Sequence, residues 1–415
     1  MKILKVSILF LCLCFFSAYS QDNPVRYKTT DGKYTFYFGD LHSHTSYSGD
    51  RAKTQAGKLG LKEGDMSVYD PKHGDLPKDA FAEARRVGWD FFAVTEHSNV
   101  LTKRSAPGQQ PQSWWYENGF TEAHWLESKR EAKAATENGK FIAIHGYEYS
   151  NNSKNESGHM NTFNTEKWES ALPEVNNITW WLEEALPLQK KAGIKVIAQF
   201  NHAGLKQYDN YMNLANPRSV EMNGKPGKNY NQFVRLKEVN RSRYPVWQKL
   251  LNLGWKIAPV DNTDVHGVSG IKNSPKCGVG ALAKELTLDA IMDALYERRV
   301  FCTWVKGVHL EFRINGAIQG TEFKKRPKGK TLHVDVFAPN SKGAPVVKVE
   351  ILGGKYAPAD PENSPHQVLA TIPFGAGVDK GKATVPNTYD FYYAVLYMDT
   401  EQSSAVSAPI WMDNL

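Results

Sequence analysis

Cysteine is scarce in this sequence, with four residues among 415. Two of them, Cys12 and Cys14, lie in an apolar N-terminal segment. The other two, Cys277 and Cys302, have no further cysteine at metal-ligand spacing, so the sequence does not predict a thiolate metal site. In an oxidising compartment these two can form a disulfide, and a pair of unbonded buried thiols is the equal alternative. The cysteines therefore assign no chemistry to the chain.

Other common signals are missing as well. Beyond the N-terminus no apolar run is long enough to cross a bilayer, so we expect no membrane anchor. The formal net charge of +7 includes no dense basic run. The nearest, KKRPKGK at 324–330, is more typical of a solvated loop than of a nucleic-acid-binding patch, and we expect no nucleic-acid partner. No G-x-S-x-G motif marks a serine nucleophile.

Residues 1–20 have the pattern of a secretory signal peptide. Lys2 and Lys5 precede a short apolar run over residues 8–16, and a small-x-small triplet at 18–20 provides a cleavage site before Gln21. The pattern predicts a cleaved leader and a periplasmic or secreted mature protein.

A unit of helix, glycine and strand recurs between residues 21 and 305. Glycine just after a helix is typical of a left-handed C-terminal cap, and the short apolar runs that follow are typical of buried parallel strands. A metal-binding type of residue ends each run. The four copies join Gly88 to His97, Gly139 to Glu148, Gly193 to His202 and Gly254 to Asp264. The repetition predicts an α/β fold, a barrel or distorted barrel, with its site at the carboxyl ends of the strands.

After about residue 306 the apolar residues alternate with period two. Alternation of this kind, interrupted by turn residues, predicts antiparallel strands. The predicted strands cover residues 308–314, 332–336, 348–352, 389–397 and 405–412. We therefore expect a C-terminal antiparallel, immunoglobulin-like β-sandwich over residues 306–415.

Histidines and carboxylates collect where the predicted strands end. The first strand ends in His42-Ser43-His44, and alternate residues of a strand point the same way, so both imidazoles can share one ion. Imidazole and carboxylate ligands without cysteine suit Zn²⁺, Mn²⁺ or Fe²⁺. The candidate ligands are His42, His44, Asp50, His97, Glu148, His159, His202, Asp264 and His266. This number exceeds the needs of one tetrahedral ion and is enough for two or three divalent ions with shared carboxylates.

The order of these motifs resembles the PHP (polymerase and histidinol phosphatase) superfamily. The order is H-x-H, T-E-H, G-x-E, G-H, N-H and D-x-H. The segments GDLHSHTSYS at 39–48 and ALYERRVF at 294–301 resemble its CehA/McbA branch of metallohydrolases. The resemblance implies a distorted (β/α)7 barrel followed by a sandwich. It also implies metal-ligand roles for His42, His44, His97, Glu148, His159, His202, Asp264 and His266.

One ligand position departs from that branch. Its usual Ser-Asp-Gly after the first histidines is Ser48-Gly49-Asp50 here, which displaces the carboxylate by one residue. Glycine is conformationally permissive, so a turn at Gly49 could bring Asp50 to the metal centre. The equally weighted alternative is that Asp50 points to solvent and pairs with Arg51 or a nearby lysine.

Clustered cations lower the pKa of bound water, so a metal-bridging hydroxide is the expected attacker and no separate nucleophile is needed. Glu148 or Asp264 is a general base in the alternative case of a mononuclear site, and His159 is an alternative proton donor to the leaving group. Three cations beyond the ligand motifs are candidate phosphate contacts, although ordinary surface charges are commoner; they are Arg51, Arg104 and Lys206.

Three functions remain open from the sequence. The first is a hydrolase of small phosphate esters, either phosphomonoesters or phosphodiesters. The second is a hydrolase of carboxyl esters, carbamates or amides, which uses the same metal chemistry. The third is a metal- or glycan-binding surface protein without enzymatic activity, and the apparently complete ligand set disfavours it.

Overall fold

The computed structural model describes most of the chain. The described residues are 26–62, 65–99, 120–151, 158–171, 178–189, 195–202, 221–222, 225–226, 230–239, 244–273, 278–305, 307–339, 345–398 and 402–412. The predicted leader, Arg104, Lys206 and Cys277 lie outside them. No helix within these ranges is long and apolar enough to span a membrane.

Strands dominate the fold. In chain order they are β1 (Thr35–Asp40), β2 (Ser43–His44), β3 (Phe91–His97), β4 (Ile142–Asn151), β5 (Gly158–Phe163), β6 (Ile197–Phe200), β7 (Glu221–Met222), β8 (Lys225–Pro226), β9 (Val234–Glu238), β10 (Ala258–Val260), β11 (Val265–His266), β12 (Gly278–Ala283), β13 (Val300–Thr303), β14 (Glu311–Ile314), β15 (Ala317–Ile318), β16 (Thr331–Phe337), β17 (Lys348–Gly354), β18 (Gln367–Pro373), β19 (Lys380–Pro386), β20 (Phe391–Tyr397), β21 (Ser403–Ser407) and β22 (Ile410–Trp411).

Helices connect many of the strands of the first part of the chain. They are α1 (Gly49–Lys58), α2 (Pro77–Arg86), α3 (Glu122–Ala135), α4 (Ile178–Trp180, continued by the π-helical Trp181–Ala185 and by Leu186–Gln189), α5 (Tyr244–Asn252), α6 (Val268–Asn273) and α7 (Leu288–Tyr296). Short 3₁₀ turns cover Met66–Tyr69, Pro71–His73 and Tyr230–Gln232.

Two of the predicted glycine caps are present. Gly88 and Gly254 lie just past α2 and α5 with φ of +92° and +99°, which favours glycine at both positions. Gly139 also has a positive φ, but it lies in a turn four residues beyond α3. Gly193 is outside the described residues. The helix-to-strand transitions inferred from these glycines are therefore confirmed for α2 and α5.

A 14-stranded mixed sheet forms the centre of the structure, in the order β10-β9-β6-β5-β4-β3-β1-β12-β13-β21-β20-β17-β18 with β22 beside β20. The strands β1, β3 and β4 are parallel neighbours, as are β6, β9 and β10. Between these groups β5 is antiparallel to both β4 and β6, which corrects the expectation of parallel strands throughout. At its far end β10 lies beside β12 and β13, so the sheet curves back on itself. The described residues thus form a large mixed sheet with helices, and the expected seven-stranded barrel is not confirmed.

The C-terminal part is antiparallel, as the alternation predicts. A separate four-stranded sheet has the order β15-β14-β16-β19. Its inner residues share one apolar core with the end of the large sheet, as shown by Phe312 and Val334 packing in the same cluster as Val349 and Leu396. The large sheet continues into this region because β13 pairs with β21.

Candidate metal centre

The two alternate-residue motifs lie side by side. In the short parallel pair of β2 and β11, His266 is opposite His44. Backbone hydrogen bonds from Asp264 N to His42 O (3.1 Å) and from Gly267 N to His44 O (2.8 Å) hold the two segments in register. Asp264 has a φ of +51°, in the left-handed region that few non-glycine residues adopt. Strain of this kind is common where a side chain must be aimed into a functional site.

The remaining candidates come from neighbouring strands of the large sheet. His97 ends β3 directly beside Glu148 of β4. His202 follows β6 by two residues. His159 lies within the antiparallel strand β5, opposite Ser150. The carboxyl ends of the parallel strands and one antiparallel hairpin therefore bring these side chains to a single edge of the sheet.

Three donor atoms form a compact triangle at the base of the site. His42 Nε2 lies 3.2 Å from His44 Nε2, and Asp264 Oδ1 lies 3.3 Å and 3.2 Å from these two nitrogens. Ligands that hold one ion at about 2.0–2.2 Å are separated by roughly 3.0–3.5 Å. The buried Asp264 Oδ1 accepts no hydrogen bond from the described residues. The triangle therefore fits a divalent ion.

Glu148 lies between this triangle and a second group of ligands. Its Oε1 is 3.2 Å from His42 Nε2, 3.2 Å from His159 Nδ1 and 3.4 Å from His202 Nε2. Its Oε2 is 2.5 Å from His97 Nδ1. One fully buried carboxylate thus meets four imidazoles, so its two oxygens could be shared between neighbouring groups of metal-binding residues.

Ligand-type atoms cluster in four overlapping groups, each with its atoms within 4.8 Å of one another. The groups are His44, His97 and His266; His42, His202 and Asp264; His42, His44 and Glu148; and His97, Glu148 and His159. These residues can hold metal ions, and the overlap suits more than one ion with shared ligands.

Asp50 lies at the outer edge of the cluster. Its Oδ2 is 3.2 Å from His266 Nε2 and 3.7 Å from His97 Nε2. Gly49 is the first residue of α1, and it does not have a positive φ. The helix itself, and not a glycine turn, therefore directs the displaced carboxylate towards the histidines.

The side chains become more exposed from the base of the site to its mouth. His42, His44 and Glu148 are fully buried, and His159 is 12% exposed. His266 and Asp50 reach 35% and 46%. Asp264, at 32%, is nearly as exposed as His266, so these three residues form the most accessible part of the described ligand set.

The site has a strong electrostatic bias towards cations. Burial opposes a charge on His42, but the carboxylates of Asp264 and Glu148 outweigh it and hold the pKa of the imidazole well above its usual value. Burial and the neighbouring His97 instead lower the pKa of His44 to about 3. Although burial opposes it, the surrounding histidines keep the pKa of the Glu148 carboxyl well below its usual value. The carboxylates thus attract positive charge to a buried point, as a metal centre requires.

Hydrogen bonds orient the ligands from behind. Ser150 Oγ and Asn201 Nδ2 donate to Glu148, each at 2.8 Å. The Glu238 carboxylate lies 3.0 Å from His42 Nδ1, and the Ser48 hydroxyl lies 2.9 Å from His44 Nδ1. The sequence reasoning missed these four residues. For Glu238 a signal was present, since the apolar residues of VRLKE at 234–238 alternate as in a strand that ends in a carboxylate.

The candidate phosphate contacts are less favourably placed. Arg51 is buried, with its Nε donating to Asp75 Oδ2 at 2.6 Å and its guanidinium packed against Gly267. It therefore links α1 to the segment after His266. Arg104 and Lys206 lie outside the described residues.

Cys302 is buried in β13, and its pairing with Cys277 stays a prediction, because Cys277 is outside the described residues.

No protein-family model and no curated protein matches the chain. Among solved structures the chain is similar to a two-domain protein from Bacteroides vulgatus that contains a predicted PHP-like metal-dependent phosphoesterase. The two share 13% identity over 91% of this chain and 87% of that one, with a TM-score of 0.38. At this TM-score the likeness carries no conclusion about the fold or the activity of this chain.

Proposed function

We propose that this chain is a metal-dependent hydrolase of small phosphate esters and that it belongs to the PHP superfamily, in or near its CehA/McbA branch. One observation carries the proposal: the buried carboxylate of Glu148 lies between two groups of imidazole ligands at distances that suit shared coordination. The ordered motifs in the sequence support the family assignment. The proposed centre holds two to three ions of zinc, manganese or iron.

Divalent ions in such a site supply an activated water and neutralise charge on the group that is attacked. The residues of the chain bind and orient those ions. Glu148, His42 and His44 form the buried base, and the partly exposed Asp264 completes the triangle with the two histidines. His159 and His202 are partly exposed, so they can face a bound ester. In this proposal His159 serves either as a ligand or as a donor of a proton to the leaving group.

A hydrolase accounts for this arrangement better than a passive metal-binding protein. A structural metal site is usually closed by four protein ligands. Here the ligand set is larger and its outer members, His266 and Asp50, reach solvent. An open edge of this kind leaves room for water and substrate at the ions.

The direct experiment is a substrate panel on chelator-treated protein to which Mn²⁺, Zn²⁺ or Fe²⁺ is returned. We expect metal-dependent turnover of p-nitrophenyl phosphate or bis-p-nitrophenyl phosphate, and at least two equivalents of metal by elemental analysis. The matched control is His333→Ala, which removes an exposed histidine of β16 and should leave turnover unchanged. Turnover of naphthyl acetate or carbamate esters alone would establish the carboxyl-ester alternative, and less than one equivalent of bound metal would refute the proposal.

We also propose that the protein is exported, on the basis of the leader pattern in residues 1–20. The expected product is a periplasmic or secreted chain that begins at Gln21. Mass spectrometry of the protein from its natural host gives the test. An intact Met1 terminus, or a lipid on Cys12 or Cys14, would contradict it.

A further inference from the structure

The nitrogens His42 Nε2 and His44 Nε2 face each other at 3.2 Å, both fully buried. Which of them carries a proton follows from the partner of the other nitrogen in each ring. Those partners are different in kind for the two histidines.

The partner of His42 is a carboxylate. Glu238 Oε2 lies 3.0 Å from His42 Nδ1, and the Glu238 side chain is almost fully buried. A carboxylate accepts hydrogen bonds, so the neutral imidazole of His42 carries its proton on Nδ1. Its Nε2 then presents a lone pair to the site.

The partner of His44 is a hydroxyl whose own hydrogen is already used. Ser48 Oγ donates to Glu96 Oε2 at 2.6 Å and accepts from His97 N at 3.0 Å. It is therefore left to accept from His44 Nδ1 at 2.9 Å. Ser48 is also the N-cap residue of α1, but its side chain makes no capping hydrogen bond, so this hydroxyl serves the site and not the helix.

Both Nε2 atoms therefore present lone pairs to one point, which only a cation or an added proton can satisfy. We propose that Glu238 is a positioning residue of the metal centre, which holds the proton of His42 on Nδ1 and thereby aims the Nε2 lone pair at the ion shared with His44 and Asp264. The inference rests on the proposed function, because it assumes that the ion binds there. The hydrogen bond from His44 Nδ1 to Ser48 Oγ orients the His44 ring less strongly, since a hydroxyl accepts less strongly than a carboxylate.

Glu238 is itself held firmly at the end of β9. Its neighbour Lys237 is fully buried and donates from Nζ to the backbone oxygens of Glu238 and Asn201, each at 2.7 Å. Asn201 in turn donates to Glu148 at 2.8 Å. The ends of β6 and β9 are thus tied together, and with them the residues that orient His42 and Glu148.

The experiment compares Zn²⁺ binding by metal-free wild type, Glu238→Gln, Ser48→Ala and a matched control, Glu311→Gln. Glu311 is a buried glutamate of β14 that accepts hydrogen bonds from Thr30, outside the metal centre. We expect Glu238→Gln to raise the Kd of the tightest Zn²⁺ site by roughly 10–100-fold. Ser48→Ala should raise it less, and Glu311→Gln should leave it unchanged.

A second readout is independent of affinity. Nitrogen-15 spectra of histidine-labelled wild type, recorded at a pH where the His42 ring is neutral, should show this ring with protonated Nδ1 and unprotonated Nε2. In Glu238→Gln the ring should become a mixture, because a glutamine amide can either accept or donate. A purely structural role of Glu238 would not change this signature.

The outcomes separate the two proposals. Failure of wild type to bind any of Zn²⁺, Mn²⁺ and Fe²⁺ refutes the proposed function. Normal binding by wild type together with unchanged affinity in Glu238→Gln refutes the role of Glu238 alone. If Glu238→Gln fails to fold, the wild-type spectrum decides: a His42 proton on Nε2 overturns the inference, and a proton on Nδ1 supports it.

Discussion

Two buried histidines, His42 and His309, have opposite surroundings. His42 has the carboxylates of Glu148, Glu238 and Asp264 within 3.3 Å. His309, at the start of the C-terminal part, packs against the rings of Phe36 and Phe38, with centroids 5.1 Å and 5.0 Å away. Its Nδ1 lies 3.1 Å from the backbone oxygen of Gly307.

The pKa values of the two imidazoles diverge accordingly. Burial lowers the pKa of His309 to about 4. Carboxylates overcome the same burial at His42 and raise its pKa. Burial alone therefore favours a neutral histidine in an apolar core, whereas burial beside carboxylates favours a positive charge at the histidine.

The largest expected effect comes from replacing each of the two histidines in turn with alanine. His42→Ala removes one corner of the donor triangle and should lower hydrolysis by at least about 10³-fold, which corresponds to roughly 4 kcal/mol of transition-state stabilisation. The melting temperature of the chelated protein should change less than in His309→Ala, because His42 lies in the short segment between β1 and β2 and does not pack in an apolar core. His309→Ala should do the reverse and leave turnover per folded molecule unchanged.

Steady-state kinetics and thermal unfolding of both variants, in the presence of chelator and of Mn²⁺, measure these effects. Near-normal turnover by His42→Ala would remove His42 from the centre. A large loss of turnover in folded His309→Ala would show that the aromatic pocket and the metal centre are not independent.

A pH series tests the aromatic side of the comparison. The folded-state pKa of His309, about 4, lies below the ordinary value of 6.5, so the folded protein binds fewer protons than the unfolded chain between these values. The contribution to stability is complete above pH 6.5 and is lost as the pH falls towards 4, by up to about 3 kcal/mol.

His309→Phe keeps the aromatic contacts and removes the titrating group. Its free energy of unfolding should therefore fall less steeply between pH 6.5 and 4 than that of wild type. Urea titrations of both chelated proteins give the comparison, and the metal-site histidines cancel because the two proteins share them. Parallel pH curves would show that His309 does not resist protonation.

The smallest expected effect concerns the outer edge of the metal centre. Asp50→Asn keeps the shape of the side chain but removes its charge beside His266 and His97. We expect a loss of up to one loosely held equivalent of metal and about tenfold weaker binding of that ion, while the buried ions stay. Elemental analysis after dialysis measures the difference, with Asp65→Asn in an exposed turn as control. Unchanged metal content would place Asp50 outside the ligand set.

The sequence predicted the grouping of the site residues more accurately than it predicted the direction and pairing of the strands. Gly88 followed by an apolar run and His97 is a local pattern, and the helix end, the strand and its terminal histidine are present as expected. Similar local reasoning placed Asp264 and His266 together. Each of these predictions depended on spacing along one short segment.

Features that depend on pairing between distant segments were not predictable in the same way. The strand β5 contains His159 in GHMNTF, which has no clear alternation, and only its neighbours β4 and β6 on both sides make it a strand. Lys237, unlike Glu238, lies at a position that the alternation of VRLKE assigns to solvent, yet both charged residues are buried in the structure. They are buried because the ends of β6 and β9 meet at the site.

The pairing of β13 with β21 has a consequence for how the protein can be divided. Val300–Thr303 bonds to β12 on one side and to Ser403–Ser407 on the other. A fragment that ended near residue 305 would leave β13 as an open edge, with the buried Phe301 and Cys302 within it. Open apolar edges recruit further strands and lead to aggregation. The C-terminal part thus covers the edge of β13 and prevents pairing between molecules at that strand.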